Sequence, residues 1–222
     1  NQPERRIVGI TGTNGKSTTT ALIAHLLRRA GQGTQLGGNI GLPILDLWPT
    51  PVDDIYVLEL SSFQLELSDH LRCAVAVILN VSPDHLERHG SLAGYVRAKR
   101  RILRNQRASD WAVLGVDDDH GRDLYEELAG RGRQRRLPVA VGWALDRGVY
   151  VIDGQLFDAV DGPAEAVIDL RPIASLRGAH NWQNAAAAYG AMRALGLGAE
   201  AIAAGLPQFS GLAHRLETVA TV

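Results

Sequence analysis

Ile7-Val8-Gly9-Ile10-Thr11-Gly12-Thr13-Asn14-Gly15-Lys16-Ser17-Thr18 is the stretch whose reading decides the fold. Residues Arg5–Thr11 form a short apolar run, the composition of a strand. A glycine-rich turn follows, and from Lys16 to Ala30 the apolar residues recur at helical spacing until Gly31. A strand, a glycine loop and a helix in that order cradle phosphate. Gly12 and Gly15 let backbone N–H groups wrap an anion, with Thr13 and Asn14 between them. Lys16 neutralises terminal phosphates, and the Ser17 hydroxyl, with Thr18 next to it, opens the helix where Mg²⁺ can be ligated. The usual spacing places a further glycine five residues before Gly15; that position is Ile10, so this is a shortened variant. A glycine-rich turn without a ligand is the plainer alternative, but Gly-Lys-Ser-Thr at a helix start after a buried strand weighs against it.

Outward from this loop, strand-like and helix-like segments alternate. Asp54–Leu60 is apolar until Glu59, and Ala74–Val81 is apolar enough to be buried on both faces, as central parallel strands are. Ser91–Asn105 reads as a helix with Ser91 as N-cap. Trp111–Gly115 and Pro138–Gly142 read as strands flanking a helix over Asp118–Gly130. Gly37–Gly41 reads as a loop. Val149–Ile152 and Gln155–Val160 enclose Asp153-Gly154, a hairpin turn, and Val167–Leu170 adds a strand. Asn181–Leu195 is an alanine-rich helix and Ala199–Leu206 a shorter one. The expectation is an α/β fold: a mostly parallel P-loop-type sheet flanked by helices, with a small antiparallel hairpin region. Such sheets bind ligands at the carboxyl ends of their strands, where Ser17, Glu59 and the segment after Val81 all fall.

Composition removes several function classes. The chain has 222 residues and a formal net charge of −1, so no basic or acidic excess points to nucleic acid or a membrane surface. No apolar run of about 18 residues exists. The single cysteine, Cys73, cannot pair within the chain and reads as a small buried residue beside a strand. It agrees with a cytoplasmic setting. The basic residues are nearly all arginine; Lys16 and Lys99 are the only lysines. An amine is a compact charge that can be carboxylated, and a guanidinium is not.

Four further positions are candidates. Glu59 ends an apolar strand, where a carboxylate costs desolvation unless it is paired or binds a cation. His85, after Asn80-Val81-Ser82-Pro83-Asp84, is open between metal ligand, general base and structural histidine; Asp84 and His89 read as solvated. Lys99 lies in Arg97-Ala98-Lys99-Arg100-Arg101, a basic face that by itself reads as solvated. In His180-Asn181-Trp182-Gln183-Asn184 the two asparagines share a helix face. Asn181 suits helix capping, while the Asn184 amide can accept from adenine N6 and donate to N7.

The order of these motifs resembles the Mur ligases, the ATP-dependent amino-acid ligases of peptidoglycan stem-peptide synthesis. The resemblance rests on Gly12–Thr18, Gly37-Gly-Asn-Ile-Gly41, Glu59-Leu-Ser-Ser-Phe-Gln-Leu-Glu66, Asn80-Val-Ser-Pro-Asp-His85, the Lys99 helix, His180–Asn184 and Gly211-Leu-Ala-His-Arg215. Ser61-Ser62-Phe63-Gln64 is similar to the D-glutamate-adding branch. The resemblance implies a bacterial, cytoplasmic, monomeric enzyme of three domains, with residues 1–217 as the central ATP domain and 218–222 opening the link to the next. It implies ATP and two Mg²⁺: one held by Ser17 and Glu59, the other by His85 and a carboxylated Lys99. Lys16 and the loop amides would hold phosphates, Asn184 and Arg215 the nucleotide, and Asn39, Ser61 and Gln64 the UDP-sugar substrate. The competing expectations are another ligase with this ATP fold (a different Mur ligase or a folylpolyglutamate synthase), a non-catalytic nucleotide-binding module, and a P-loop kinase, which would not need an amine at position 99.

Overall fold

The computed structural model describes residues 6–47, 51 and 54–212. One nine-stranded sheet runs through it. In chain order the strands are β1 (Arg6–Thr11), β2 (Thr34–Gly38), β3 (Ile55–Glu59), β4 (Val75–Ile78), β5 (Trp111–Gly115), β6 (Arg135–Val141), β7 (Gly148–Ile152), β8 (Gln155–Ala159) and β9 (Glu165–Asp169). Their spatial order is β2-β3-β1-β4-β5-β6-β7-β8-β9. Every pair from β2 to β7 is parallel, and β7-β8-β9 is antiparallel. The helices are α1 (Lys16–Arg29), α2 (Ser62–Glu66), α3 (Leu86–His89), α4 (Leu92–Arg100), α5 (Asp119–Arg131), α6 (Ala179–Ala194) and α7 (Ala199–Gly205).

The apolar strands are buried on two faces. Ile55 and Val57 of β3 face one core with Val75 and Val77 of β4, under α1 and α6. Tyr56, Leu58, Ala76 and Ile78 face a second core with Tyr95 of α4 and Leu124 of α5. Strands covered on both sides lose the polar alternation of a half-exposed sheet, and each fully buried Ile or Leu contributes roughly 1.5–3 kcal/mol. The alanine-rich α6 is buried continuously from Asn184 to Met192. Small side chains let it lie close against four strands, β4 to β7, and against α1.

Local chemistry accounts for the ends of the elements. Ser91 caps α4 by accepting from the Gly94 amide, as expected, an interaction that contributes about 1 kcal/mol. Asp118 caps α5 in the same way. The hairpin turn at Asp153-Gly154 has both residues at positive φ, as its tight type demands. Three expectations change. The helix from Ser91 tightens to a 3-10 turn at Arg101–Leu103 and does not reach Asn105. Gly37 and Gly38 are strand, the end of β2, an edge strand without an apolar pattern. Asn181 does not cap α6: Gly178 occupies the N-cap, and Asn181, in the first turn, donates to the Arg177 carbonyl.

Candidate functional site

The carboxyl ends of β1, β3 and β4 meet at the glycine loop. Gly12 and Gly15 both adopt positive φ (155° and 84°), and Gly15 closes the loop as the N-cap of α1. A Cβ at Gly15 would lie 2.0 Å from Asn184 Oδ1, so this glycine is required by α6 as well as by its own backbone. The loop is pinned by side chains: the Asn14 amide donates to Asn80 Oδ1 (2.8 Å), Asn80 Nδ2 to Gln183 Oε1 (2.8 Å), and Gln183 Nε2 to Asp117 Oδ2 (2.8 Å). Each amide group has a partner of the right polarity, so the relay holds one orientation of the loop between β4, β5 and α6. Asn80, Gln183 and Asp117 were missed as site residues; only contacts across 66 to 103 residues of sequence disclose them.

Both lysines converge on one carbonyl. Lys16 Nζ donates to Gly12 O (3.1 Å) and Thr13 O (2.9 Å), and Lys99 Nζ to Gly12 O (2.7 Å). Lys99 is only 2% exposed, on the face of the Tyr95 ring with Nζ 4.4 Å from its centroid. The solvated reading of this helix face therefore fails at position 99. Burial and then the neighbouring Lys16 charge lower the Lys99 pKa to about 7, against a smaller opposing pull from Asp84. Between that value and the ordinary 10.5 the unfolded chain holds a proton that the folded chain does not. Stability attributable to Lys99 therefore rises with pH across this window, by at most about 1.4 kcal/mol per pH unit. Denaturant unfolding in CO2-free buffer at pH 7 to 10 should show this rise in the native chain relative to Lys99→Met; equal pH dependence in the two would refute the depressed amine.

Glu59 is 1% exposed at the end of β3. Its Oε1 accepts from Asn39 Nδ2 (3.1 Å), and its Oε2 has no hydrogen-bond partner among the described residues. The β2 edge wraps this carboxylate's backbone: the Asn39 amide donates to Glu59 O, and Gly38 (φ 107°) packs so close that a Cβ would lie 2.2 Å from that oxygen. Thr11 Oγ1, at the end of the adjacent β1, is likewise buried without a partner. Ser17 and Thr18, half-buried, open α1. A buried carboxylate oxygen left open at the strand ends beside a phosphate loop fits a hard, oxygen-seeking cation.

His85 sits in the left-handed region (φ 50°) as the N-cap of α3 with its ring 45% exposed. Its ring lies near Asp84 (3.5 Å) and Glu87 (3.8 Å), and its centroid is 5.0 Å from Phe63 and 6.3 Å from Tyr95. Tyr95 thus carries His85 at its edge and Lys99 on its face, while its hydroxyl lies 3.4 Å from Thr13 Oγ1 of the loop. No cluster of three His, Cys, Asp or Glu suited to a metal occurs among the described residues.

The remaining candidates divide. Asn184 is buried, accepts from Thr19 Oγ1 and donates to Asn181 Oδ1. It lines a cavity of about 270 Å³ with Gly15, Thr18, His180, Asn181 and Ser210. Ser61 and Gln64 bond each other in a capping box that starts α2. Arg215 and the boundary at 217 lie outside the described residues. His89, expected in solvent, is not: its side chain is 1% exposed. No helix among the described residues is long and apolar enough to cross a membrane.

The description "Mur ligase middle domain" belongs to the family model that matches residues 10–192, which contain the loop, both lysines, Glu59, His85 and Asn184. The UDP-N-acetylmuramoylalanine–D-glutamate ligase of Phenylobacterium zucineum is 54% identical over 217 residues, 98% of this chain and 46% of that protein. The enzyme of the same name from Caulobacter vibrioides is 50% identical over 217 residues, again 98% and 46%. The chain thus spans about half the length of these relatives. Among solved structures, a UDP-N-acetylmuramoyl-L-alanyl-D-glutamate–2,6-diaminopimelate ligase superposes with a TM-score of 0.77 at 25% identity, covering 95% of this chain and 47% of that one. A matched model over most of the chain, with the phosphate loop and its two lysines inside the match, leaves one conclusion: the chain belongs to the Mur ligase middle-domain family.

Proposed function

We propose that this chain is the central, ATP-handling domain, residues 1–217 with 218–222 leading onward, of a three-domain bacterial cytoplasmic ligase that joins UDP-N-acetylmuramoyl-L-alanine to D-glutamate. The observation that carries the proposal is that Lys16 and Lys99 both bond Gly12 O after β1, while the neighbouring β3 ends on Glu59, whose Oε2 has no partner among the described residues. The names of relatives about half identical over nearly the whole chain support the choice of substrates.

The reaction has two steps. The L-alanyl carboxylate attacks the γ-phosphate of ATP, giving an acyl phosphate and ADP; the glutamate amine then attacks the acyl carbon, and phosphate leaves. A carboxylate and a polyphosphate repel, so the site must supply positive charge and alignment. Magnesium, when bound, offsets that charge. Lys16 and the amides of Gly12 to Thr18 hold the phosphates. Glu59 with Ser17 would hold one cation, and His85 with carboxylated Lys99 a second. Asn39 holds Glu59 in place, and Asn184 with its cavity receives the adenine. Arg215, outside the described residues, is assigned to the nucleotide by the family resemblance alone. Ser61 and Gln64 lie on the sugar-nucleotide side, where their mutual capping also fixes α2.

The test is phosphate release by the full-length enzyme with Mg-ATP, UDP-N-acetylmuramoyl-L-alanine and an amino acid. Release should require the sugar nucleotide and D-glutamate together, with L-glutamate and lysine inert. Release with another amino acid, or none in protein that binds Mg-ATP, would overturn the assignment.

A further inference from the structure

His89 is a buried histidine that the proposed chemistry does not use. Its ring Nδ1 lies 3.1 Å from Glu66 Oε1 and its Nε2 3.0 Å from Ser62 Oγ. A carboxylate only accepts, so Nδ1 carries a proton, and a serine hydroxyl can either donate to Nε2 or accept from it. The ring is stacked on Phe63 (5.6 Å, 27°) and packs on Tyr95 (5.3 Å). Arg88, next in sequence, holds the other Glu66 oxygen (3.2 Å). Ser62 is 3% exposed, so its hydroxyl is closed off from a substrate.

Position explains what the set does. Ser62 and Glu66 are one turn apart on α2, which begins three residues after Glu59. His89 ends α3, which begins immediately after His85, and its amide donates to His85 O (3.1 Å). These helices have five and four residues, too short to hold their places by themselves. One ring therefore ties the segment leaving Glu59 to the segment leaving His85. We infer that His89 is a positioning residue that sets the separation of Glu59 and His85 through paired hydrogen bonds to α2. The inference rests on the proposed role of those two residues in holding Mg²⁺ with the nucleotide. Partners that orient ligands from behind typically change metal affinity 10- to 100-fold when removed.

Three variants separate the alternatives. His89→Phe keeps the stacked ring and loses both hydrogen bonds; His89→Gln loses the ring and keeps a donor and an acceptor; Glu59→Gln is the reference for a lost ligand. The readout is the Mg²⁺ concentration needed for half-maximal binding of a non-hydrolysable ATP analogue, by calorimetry, together with the melting temperature of each protein. The expected result is a 10- to 100-fold rise for His89→Phe, a smaller rise for His89→Gln, and nucleotide affinity without Mg²⁺ unchanged in both. An unchanged Mg²⁺ requirement in His89→Phe, or an equal loss in both variants that tracks a lowered melting temperature, overturns the positioning role. If native protein and Glu59→Gln show the same Mg²⁺ requirement, the metal assignment fails instead, and the two failures are distinct.

Discussion

Lys99→Arg should lower turnover of the full-length ligase on the order of 10³-fold, the loss typical when a major electrostatic element of an active site is removed. The substitution retains a donor for Gly12 O, the hydrogen bond Lys99 makes in this structure. What it removes is the amine. Carboxylation joins an unprotonated amine to CO2, forming an N–C bond and releasing one proton; the product is a carbamate with two oxygens at the end of a lysine stem. Burial and the nearby Lys16 charge, with a pKa of about 7, leave a large unprotonated share near neutrality, whereas a guanidinium stays charged. Native enzyme should accordingly lose activity in buffer stripped of CO2 and regain it with bicarbonate, and Lys99→Arg should show neither response. A near-silent Lys99→Arg would favour chemistry that needs only a cation there, as in a P-loop kinase. A larger side chain in a site 2% exposed also risks lost packing, so the CO2 response of the native enzyme is the measurement that decides.

The parts of this molecule legible in the sequence are those in which one local pattern has one physical cause. Ile7 to Lys16 read correctly because a buried strand, a tight glycine turn and a helix start each leave their own mark within a few residues. The apolar runs of β3 and β4 read as doubly covered strands, which they are. Glu59 stood out because a carboxylate at the end of such a run needs a reason. The misses are just as physical. β2 is an edge strand whose Thr-Gln-Leu-Gly-Gly has neither alternation nor a long apolar run, and its pairing with β3 supplies what its sequence lacks. α2 had a usable signal, the Ser-x-x-Gln spacing of Ser61 and Gln64. His89 and the Asn80–Gln183–Asp117 relay had none. A histidine in Leu86–His89 reads as solvated until α2 and Tyr95 close over it, and the relay exists only once α6 crosses strands far away in sequence. Lys99 was conspicuous by rarity, yet its burial against Gly12 O and the Tyr95 ring is something a run of basic residues gives no way to foresee.

Glu59→Gln should move stability and function in opposite directions. In the metal-free chain Glu59 presents one oxygen to Asn39 and buries the other without a partner among the described residues. An ionised carboxylate so placed costs more than a neutral amide of nearly equal size, because the charge is desolvated with half its acceptors unused. Gln keeps an acceptor for Asn39 Nδ2 and removes the charge, though its amide nitrogen buries two donors where Oε2 stood, so metal-free stability should rise by only about 1 kcal/mol, read as a higher denaturant midpoint with an unchanged slope. The same change removes the charge a hard cation needs. Addition of Mg²⁺ with nucleotide should raise the melting temperature of native protein and do so much less in the variant, since a ligand stabilises only to the extent that it binds the folded state. Turnover of the full-length enzyme should fall by about 10²- to 10³-fold. A variant destabilised without metal would show that the carboxylate serves the fold, as a buried pair whose loss leaves a group unsatisfied. A stabilised variant that still responds fully to Mg²⁺ would move the cation away from the end of β3. Stabilisation, loss of the Mg²⁺ response and loss of turnover together are the signature of a group kept for its ligand at the expense of the empty fold, because only a bound cation removes the cost that this buried oxygen imposes.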